Sequence, residues 1–248
     1  MKKRYSQLFY RNRQNPSFSA DIISDEVIKL IQPKSVVDVG CGLGEFLRSF
    51  QKRGVEKVLG VDGSWVNKEE LKIEKKFFLE ANLEKALPVK EKFDLAISLE
   101  VAEHLSEKKA GFFIKKITEL APVVLFSAAI PYQGGTGHIN EQWPEYWAAL
   151  FEKEGYVTID CLRNKIWSNK KVSFVYAQNS LLFVEKKFLK KNRRLKKVYK
   201  ENKNNVLSVV HPNLYLLKAK ISEPVFKLFP QKMPISIKKK LYKILKIY

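Results

Sequence analysis

From Ala20 to about Leu120 the chain alternates between apolar positions at helical spacing and short apolar runs of strand length. Residues 20–32 (ADIISDEVIKLIQ) place their apolar side chains three and four apart, which predicts a helix. Ser35 to Val39 reads as a short buried strand, Gly44 to Lys52 as a helix, and Lys57 to Val61 as a second strand. A weaker strand is expected at Lys75 to Leu79 and a clear one at Phe93 to Leu99. Residues 107–120 predict a helix with Phe112, Phe113, Ile114 and Ile117 facing inward, followed by a strand at Val123 to Ser127. This βαβα order implies a parallel sheet covered by helices on both faces. After Ile130 the pattern changes. Residues 131–140 (PYQGGTGHIN) form a Gly-rich loop, and Glu141 to Gly155 reads as a helix closed by its glycine. Tyr156 to Leu162 and Ser180 to Glu185 are two late strands, expected to be antiparallel.

A chain of 248 residues with 45% apolar positions can bury one sizeable α/β core and carry an appendage. The net charge of +20 is unevenly placed. Residues 186–248 hold 19 Lys or Arg against two acids, Glu201 and Glu223, which leaves +17 in the tail and +3 in the body. The expected division is therefore a domain over residues 1–185 and a basic, largely helical tail over 186–248, and a partner attracted by charge is a partner of the tail. The two cysteines, Cys41 and Cys161, form no disulfide framework. Free thiols, no apolar run of signal-peptide length after Met1-Lys2-Lys3-Arg4, and no stretch near the roughly 18 apolar residues of a membrane span point to the cytoplasm.

The strongest chemical signal is Val36-Val37-Asp38-Val39-Gly40-Cys41-Gly42-Leu43-Gly44-Glu45-Phe46. An apolar strand runs into glycines at alternate positions and then into a helix, where a ligand can approach bare backbone. A dinucleotide site wants G-x-G-x-x-G with pyrophosphate on the helix N-terminus. Here the third glycine, Gly44, comes one residue early, and Glu45 in the first helical turn repels phosphate. Asp38, just before the glycines, attracts a cation instead. S-adenosylmethionine, with an ammonium and a sulfonium and no phosphate, fits better. Asp62 ends the second strand, 24 residues after Asp38, where a carboxylate can accept both ribose hydroxyls. Asn82 and Leu83 follow the third strand, suited to the edge and face of adenine, and the fourth strand runs through Leu99 and Glu100 into Val101-Ala102-Glu103-His104-Leu105.

In order and spacing these four segments resemble the successive cofactor motifs of class I S-adenosylmethionine-dependent methyltransferases, over roughly residues 30–130. The resemblance implies a Rossmann-like sheet of about seven strands sandwiched by helices. It implies S-adenosyl-L-methionine held by Asp38, Gly40, Cys41, Gly42, Gly44 and Phe46 at the turn, by Asp62 on the second strand, and by Asn82, Leu83, Leu99 and Glu100 on the next two. Many relatives carry Asp where this chain has Asn82.

On the acceptor side, a hydroxyl nucleophile needs positioning and gains from a base, for which histidine is suited near neutral pH. His138, in the Gly-rich loop, is the first candidate and His104 the second; capping of the following helix by His138 and Asn140 is the competing structural reading. Asn140 and Trp143 beside His138, and Trp167, Tyr176, Gln178 and Asn179 between the late strands, are candidate substrate contacts, a mix of rings and amides that suits a polyol. The stretches G-G-T-G-H-I-N-E-Q-W-P-E-Y-W and Y-A-Q-N-S-L-L-F resemble methyltransferases of bacterial surface-polysaccharide synthesis, which implies O-methylation of a sugar in a glycan or glycolipid precursor. No metal is expected, since no aspartate cluster for Mg²⁺ stands out; Glu100, Glu103 and Glu141 are the acids that would assemble one. The position after the fourth strand reads Ser98-Leu99-Glu100-Val101 rather than the D/N-P-P-Y/F of enzymes that hold a flipped base, and the body has no basic excess, so nucleic acid is the weaker partner. An RNA methyltransferase and a non-catalytic cofactor-binding protein remain the alternatives. Residues 234–248 place Ile237, Leu241, Ile244, Leu245 and Tyr248 on one helical face with lysines largely opposite, the pattern of a helix at an anionic membrane surface, which suggests peripheral contact with the inner membrane face.

Overall fold

The structure, a computed structural model, describes residues 16–227. The chain divides into two compact units, Met1–Val209 and Val210–Tyr248. The first is built on seven strands: β1 (Ser35–Val39), β2 (Lys57–Asp62), β3 (Phe78–Glu80), β4 (Leu95–Leu99), β5 (Val123–Ser127), β6 (Tyr156–Ile159) and β7 (Leu181–Glu185). They form one sheet in the order β3-β2-β1-β4-β5-β7-β6. The first five run parallel, and β7 is antiparallel to both β5 and β6. The expected Rossmann-like sheet is thus present, with the reversed late strands where the sequence pattern places them.

Alternate residues of each strand feed opposite layers, as the period of two requires. On one face Val36, Val58, Ile97, Leu125 and Leu182 pack under α1 (Pro16–Ile31) and α2 (Glu45–Gln51). On the other Val37, Val61, Ala96, Phe126 and Phe183 pack under α3 (Glu107–Thr118) and α4 (Pro144–Lys153). Covering both faces is why the central strands read as unbroken apolar runs. Phe151 of α4 stacks on Phe183, ring centroids 3.8 Å apart.

Several boundaries differ from the sequence pattern for local reasons. The weak strand expected at Lys75–Leu79 is a 3₁₀ turn over Lys75–Phe77, and pairing with β2 starts only at Phe78. The helix expected from Glu141 begins at Pro144, whose fixed φ favours the first helical position, so His138 and Asn140 do not cap it. The strand from Tyr156 stops at Ile159, because Asp160 turns inward to pair with Arg163 at the start of α5 (Arg163–Ile166). Phe112 is half-buried, while Phe113, Ile114 and Ile117 are buried as expected.

The basic segment after Glu185 starts as part of the first unit. After α6 (Phe174–Asn179) and β7, in α7 (Lys186–Lys191) and α8 (Arg193–Asn202), Leu189 and Leu195 are buried in the layer that holds α1 and α2, while the lysines and arginines face outward. The boundary expected at 185 therefore falls inside a compact unit. The second unit includes α9 (Pro212–Lys227), and the amphipathic stretch 234–248 lies outside the described residues. Among the described residues no helix is long and apolar enough to cross a membrane.

Arg163 locks the crossing beyond β6. It is 3% exposed, bonds both oxygens of Asp160 at 2.9 and 2.6 Å, and donates to the carbonyls of Gln178, Val206 and Leu207. Removing one partner of a buried ion pair strands the other charge. Arg163→Ala should therefore cost about 3–5 kcal/mol. Urea unfolding of wild type and variant measures it, and a loss below ~1 kcal/mol contradicts the assigned role.

Candidate active site

The sheet reverses direction of winding at β1, whose neighbours are β2 on one side and β4 on the other. Ligands of open α/β sheets bind beyond the strand ends at such a point. Asp38, Asp62 and Glu100 all stand there, at the carboxyl ends of these three strands.

The glycine turn is shaped by contacts on both sides. Gly40 has φ of 88°, and a Cβ on it would fall 2.3 Å from Cγ2 of Val101, so the turn after β1 rests directly on the loop after β4. The amides of Gly40 and Cys41 both donate to the Val61 carbonyl. Asp62 completes the turn: its Oδ2 accepts from Gly42 N–H at 2.7 Å and its Oδ1 from Gly63 N–H at 2.6 Å. Glu45, in the first turn of α2, accepts from the Ser17 hydroxyl. Trp65 lies over Gly63, where a Cβ would fall 2.2 Å from the indole ring.

Asp38 is 4% exposed, and burial, with the nearby Asp62 charge second, pushes its carboxyl up to about 8. Two carboxylates in one dry pocket hold a proton until a cation replaces it. That is the fit test for S-adenosylmethionine: an acidic turn of bare backbone, unsuited to phosphate, with a buried carboxyl short of positive charge.

Other expected cofactor residues have different immediate roles. The Cys41 side chain lies against Gly60, inside the core, and its thiol is raised by burial. Phe46 packs edge-on to Tyr176, centroids 5.6 Å apart, in the same layer. Only the backbone of Cys41 remains on the turn. Asn82 is exposed and its Oδ1 accepts from Glu84 N–H, a local turn, while Leu83 is buried beneath it. Leu99 is buried at the end of β4.

Beyond β4 the chain makes a 3₁₀ turn over Ala102–His104, and the Gly-rich loop is laid across it. The amides of Ile139 and Asn140 both donate to the Glu103 carbonyl, at 2.9 and 3.0 Å. This brings His138 beside His104, ring centroids 4.8 Å apart and nearly perpendicular. Glu103, fully buried, completes a group of three whose ligand atoms lie within 4.8 Å of one another. His138 Nδ1 is 2.8 Å from Glu141 Oε1, and His104 Nδ1 is 3.3 Å from the Gly137 carbonyl oxygen. A carboxylate and a carbonyl oxygen can only accept, so each of these contacts suits an imidazole with its N–H on Nδ1. His138 and His104, separate candidates on two loops in the sequence, are neighbours in the structure. The sequence points to no metal and offers Glu100, Glu103 and Glu141 as the acids that would assemble a site; the group whose ligand atoms converge is instead Glu103, His104 and His138.

Glu100 adopts φ of 56°, uncommon for a residue with a side chain, and sits in a buried polar network. Its oxygens accept from Gln133 Nε2 at 2.8 Å and Asn179 Nδ2 at 3.1 Å, and Gln178 Nε2 bonds Gln133 Oε1 and Asn179 Oδ1. Burial raises the Glu100 carboxyl, opposed by bonds from Asn179, Ser127 and Gln133 and by His138. Of the expected substrate contacts, Asn179 holds Glu100 directly, Gln178 bonds the Gln133 and Asn179 amides that hold it, and Tyr176 packs on Phe46. Asn140 is buried, with its Oδ1 taken by Gln142 and its Nδ2 without a hydrogen-bond partner. Trp143 is 42% exposed at the start of α4, and Trp167 closes α5 half-buried. Gln133, Gly135 and Trp65 carry no signal in the sequence pattern, and Glu141, which enters there only as an acid for a metal set, is tied to His138 by an H-x-x-E spacing.

A seven-stranded sheet of this order with an acidic glycine turn at its switch point defines the class I methyltransferase fold. Residues 9–122 match a family model described as a methyltransferase domain. No curated protein matches the chain. Solved structures agree on the fold. DesVI of Streptomyces venezuelae has a TM-score of 0.54 at 14% identity, over 72% of this chain and 95% of its own. CalS10 of Micromonospora echinaspora, an amino pentose methyltransferase solved with S-adenosylmethionine, also scores 0.54 at 14% identity, over 73% and 98%. Human N-acetylserotonin methyltransferase, solved with the same cofactor, scores 0.51 at 16% identity, over 71% of this chain and 55% of its own. The match and the fold support an enzyme of methyl transfer that uses S-adenosyl-L-methionine.

The Asp38 carboxyl gives a pH prediction. It keeps its proton in the folded protein up to about pH 8, whereas the unfolded chain loses it near 3.8. Between these values the folded state binds more protons, so ligand-free stability should fall as pH rises from about 4 toward 8 and level off above. Asp38→Asn should flatten that slope, as seen in thermal unfolding across the range. An unchanged slope removes Asp38 as its source.

Proposed function

We propose that the protein is an S-adenosylmethionine-dependent O-methyltransferase acting on a sugar hydroxyl of a glycan or glycolipid precursor. The observation that carries the cofactor half is the buried Asp38 beneath the glycine turn, beside Asp62, where a cation relieves two carboxylates at once. Asp38 and the turn would hold the methionyl end, and Asp62, at the carboxyl end of β2, the ribose hydroxyls. The cofactor supplies a methyl group on sulfonium sulfur. The protein's own part is to dry the site, aim the acceptor oxygen and help its proton leave.

The acceptor half rests on the Glu103, His104 and His138 cluster, the group we assign to activating the hydroxyl. The oxygen–methyl bond forms as the carbon–sulfur bond breaks, with that electron pair staying on sulfur and the hydroxyl proton passing away from the oxygen. Tyr132 and Trp143, 75% and 42% exposed on the loop that carries His138, offer rings for the apolar face of a sugar. CalS10 acts on an amino pentose, which makes a sugar acceptor compatible with this fold.

Asp62→Ala should weaken S-adenosylmethionine binding about ten- to a hundredfold, the loss of a charge-assisted bond. His138→Ala should leave that affinity in place and lower turnover about 10²- to 10⁴-fold. Calorimetry checks the first, and transfer of labelled methyl to soluble glycan acceptors checks the second. Transfer to RNA but to no glycan would replace the sugar reading.

The outward bases of α7 and α8 favour placement at an anionic membrane surface, where each contributes on the order of 1 kcal/mol. The protein should float with anionic vesicles at low salt and less at high salt; sedimentation without them at low salt contradicts this placement.

A further inference from the structure

We infer that Glu103, His104 and His138 bind one divalent transition-metal ion, with open coordination positions for the acceptor hydroxyl. This rests on the methyltransferase reading for its purpose but not for its chemistry.

Three features of the cluster point to an ion. The first is convergence. Ligand atoms of a carboxylate and two imidazoles from two separate loops lie within 4.8 Å of one another, and His138 Nε2 is 3.9 Å from Glu103 Oε1. With ion–ligand distances near 2.1 Å, tetrahedral ligands stand ~3.4 Å apart, so small side-chain rotations close the site. The second is tautomer control. Metal-bound histidines characteristically give their other N–H to a carboxylate or a backbone carbonyl. His138 Nδ1 lies 2.8 Å from Glu141 Oε1 and His104 Nδ1 3.3 Å from the Gly137 carbonyl oxygen, the arrangement in which Nε2 of each ring is the nitrogen that would meet an ion. Glu141 is itself anchored, accepting the Gly134 N–H at 2.7 Å. The third is the clamp. The amides of Ile139 and Asn140 fasten the His138 loop to the Glu103 backbone, so residues 34 or more positions apart in sequence are fixed at the ligand distance.

The donor set selects the ion. Two neutral imidazoles and one carboxylate suit Mn²⁺, Fe²⁺, Co²⁺ or Zn²⁺, whereas Mg²⁺ and Ca²⁺ want oxygen. Three protein ligands leave the open positions that catalytic sites keep. Gly135 is part of the design: a Cβ there would fall 2.2 Å from His138 Nε2, so only glycine leaves the ring its place. An ion held here sits at the end of β4, on the loop whose Val101 contacts the glycine turn. There it would lower the pKa of a bound hydroxyl, whose proton then passes to water. His138 acts in this arrangement as a ligand and not as the proton acceptor.

The test is titration of the full-length, chelator-treated protein with Co²⁺ alone, without cofactor or acceptor, followed by its visible spectrum. One equivalent should bind with nitrogen-ligand bands. Glu103→Gln, His104→Ala and His138→Ala should each weaken binding at least tenfold, and Gly135→Ala, which keeps every ligand, should weaken it by displacing the His138 ring. Circular dichroism and S-adenosylmethionine calorimetry on each variant report whether fold and cofactor site persist. The inference is overturned if wild type binds no stoichiometric Co²⁺, or if the ligand variants, still folded, bind it as wild type does. Because no methyl transfer is read, a wrong cofactor assignment shows in the calorimetry and a wrong metal site in the spectrum.

Discussion

Two carboxylates, Asp38 and Asp62, end adjacent parallel strands and are both nearly buried. Sheet geometry puts them close, and little water is left to screen them. The fold answers by spending both oxygens of Asp62 on the amides of Gly42 and Gly63, and by leaving Asp38 with a proton. The glycine turn, its contact with Val101 and the hold on Val61 all follow from this arrangement. So does the ligand preference, because a cation is what such a pocket lacks and a phosphate is what it repels.

The acceptor side is governed by a different economy, that of backbone amides. The loop from Pro131 to Trp143 has no regular structure, so its N–H groups need partners. Two of them converge on the Glu103 carbonyl. That one oxygen turns a Gly-rich connection into a wall of the site and sets His138 against His104. Glu100, at the end of β4, is fixed by amides from Gln133 and Asn179. Its left-handed backbone is tolerated because these bonds over-determine it.

The parts legible in the sequence are those whose cause is local. Strands buried on both faces read as apolar runs, and the carboxylates at their ends, Asp38 and Asp62, could be placed by counting. The parts that were hidden depend on tertiary approach. Cys41 and Phe46 sit inside the right motif, yet their side chains fill the core, which spacing does not reveal. Gln178 and Asn179 look like free amides until the network of Gln133 and Glu100 is folded against them. His104 and His138 were named singly, and their meeting over Glu103 is a property of two loops clamped together. The boundary at 185 followed the charge, but Leu189 and Leu195 continue the core beneath a basic surface. Pro144 displaced a helix start by three residues, a signal present in the sequence that the apolar pattern outweighed.

The central claim is that a cationic cofactor and the histidine cluster face one another across the end of β4. A crystal structure with S-adenosylhomocysteine bound tests it directly. The ribose should lie on Asp62, the amino group toward Asp38 and the sulfur open to the space bounded by Glu103, His104 and His138. A product bound with its ribose away from Asp62, or with its sulfur closed off from that cluster, would contradict it.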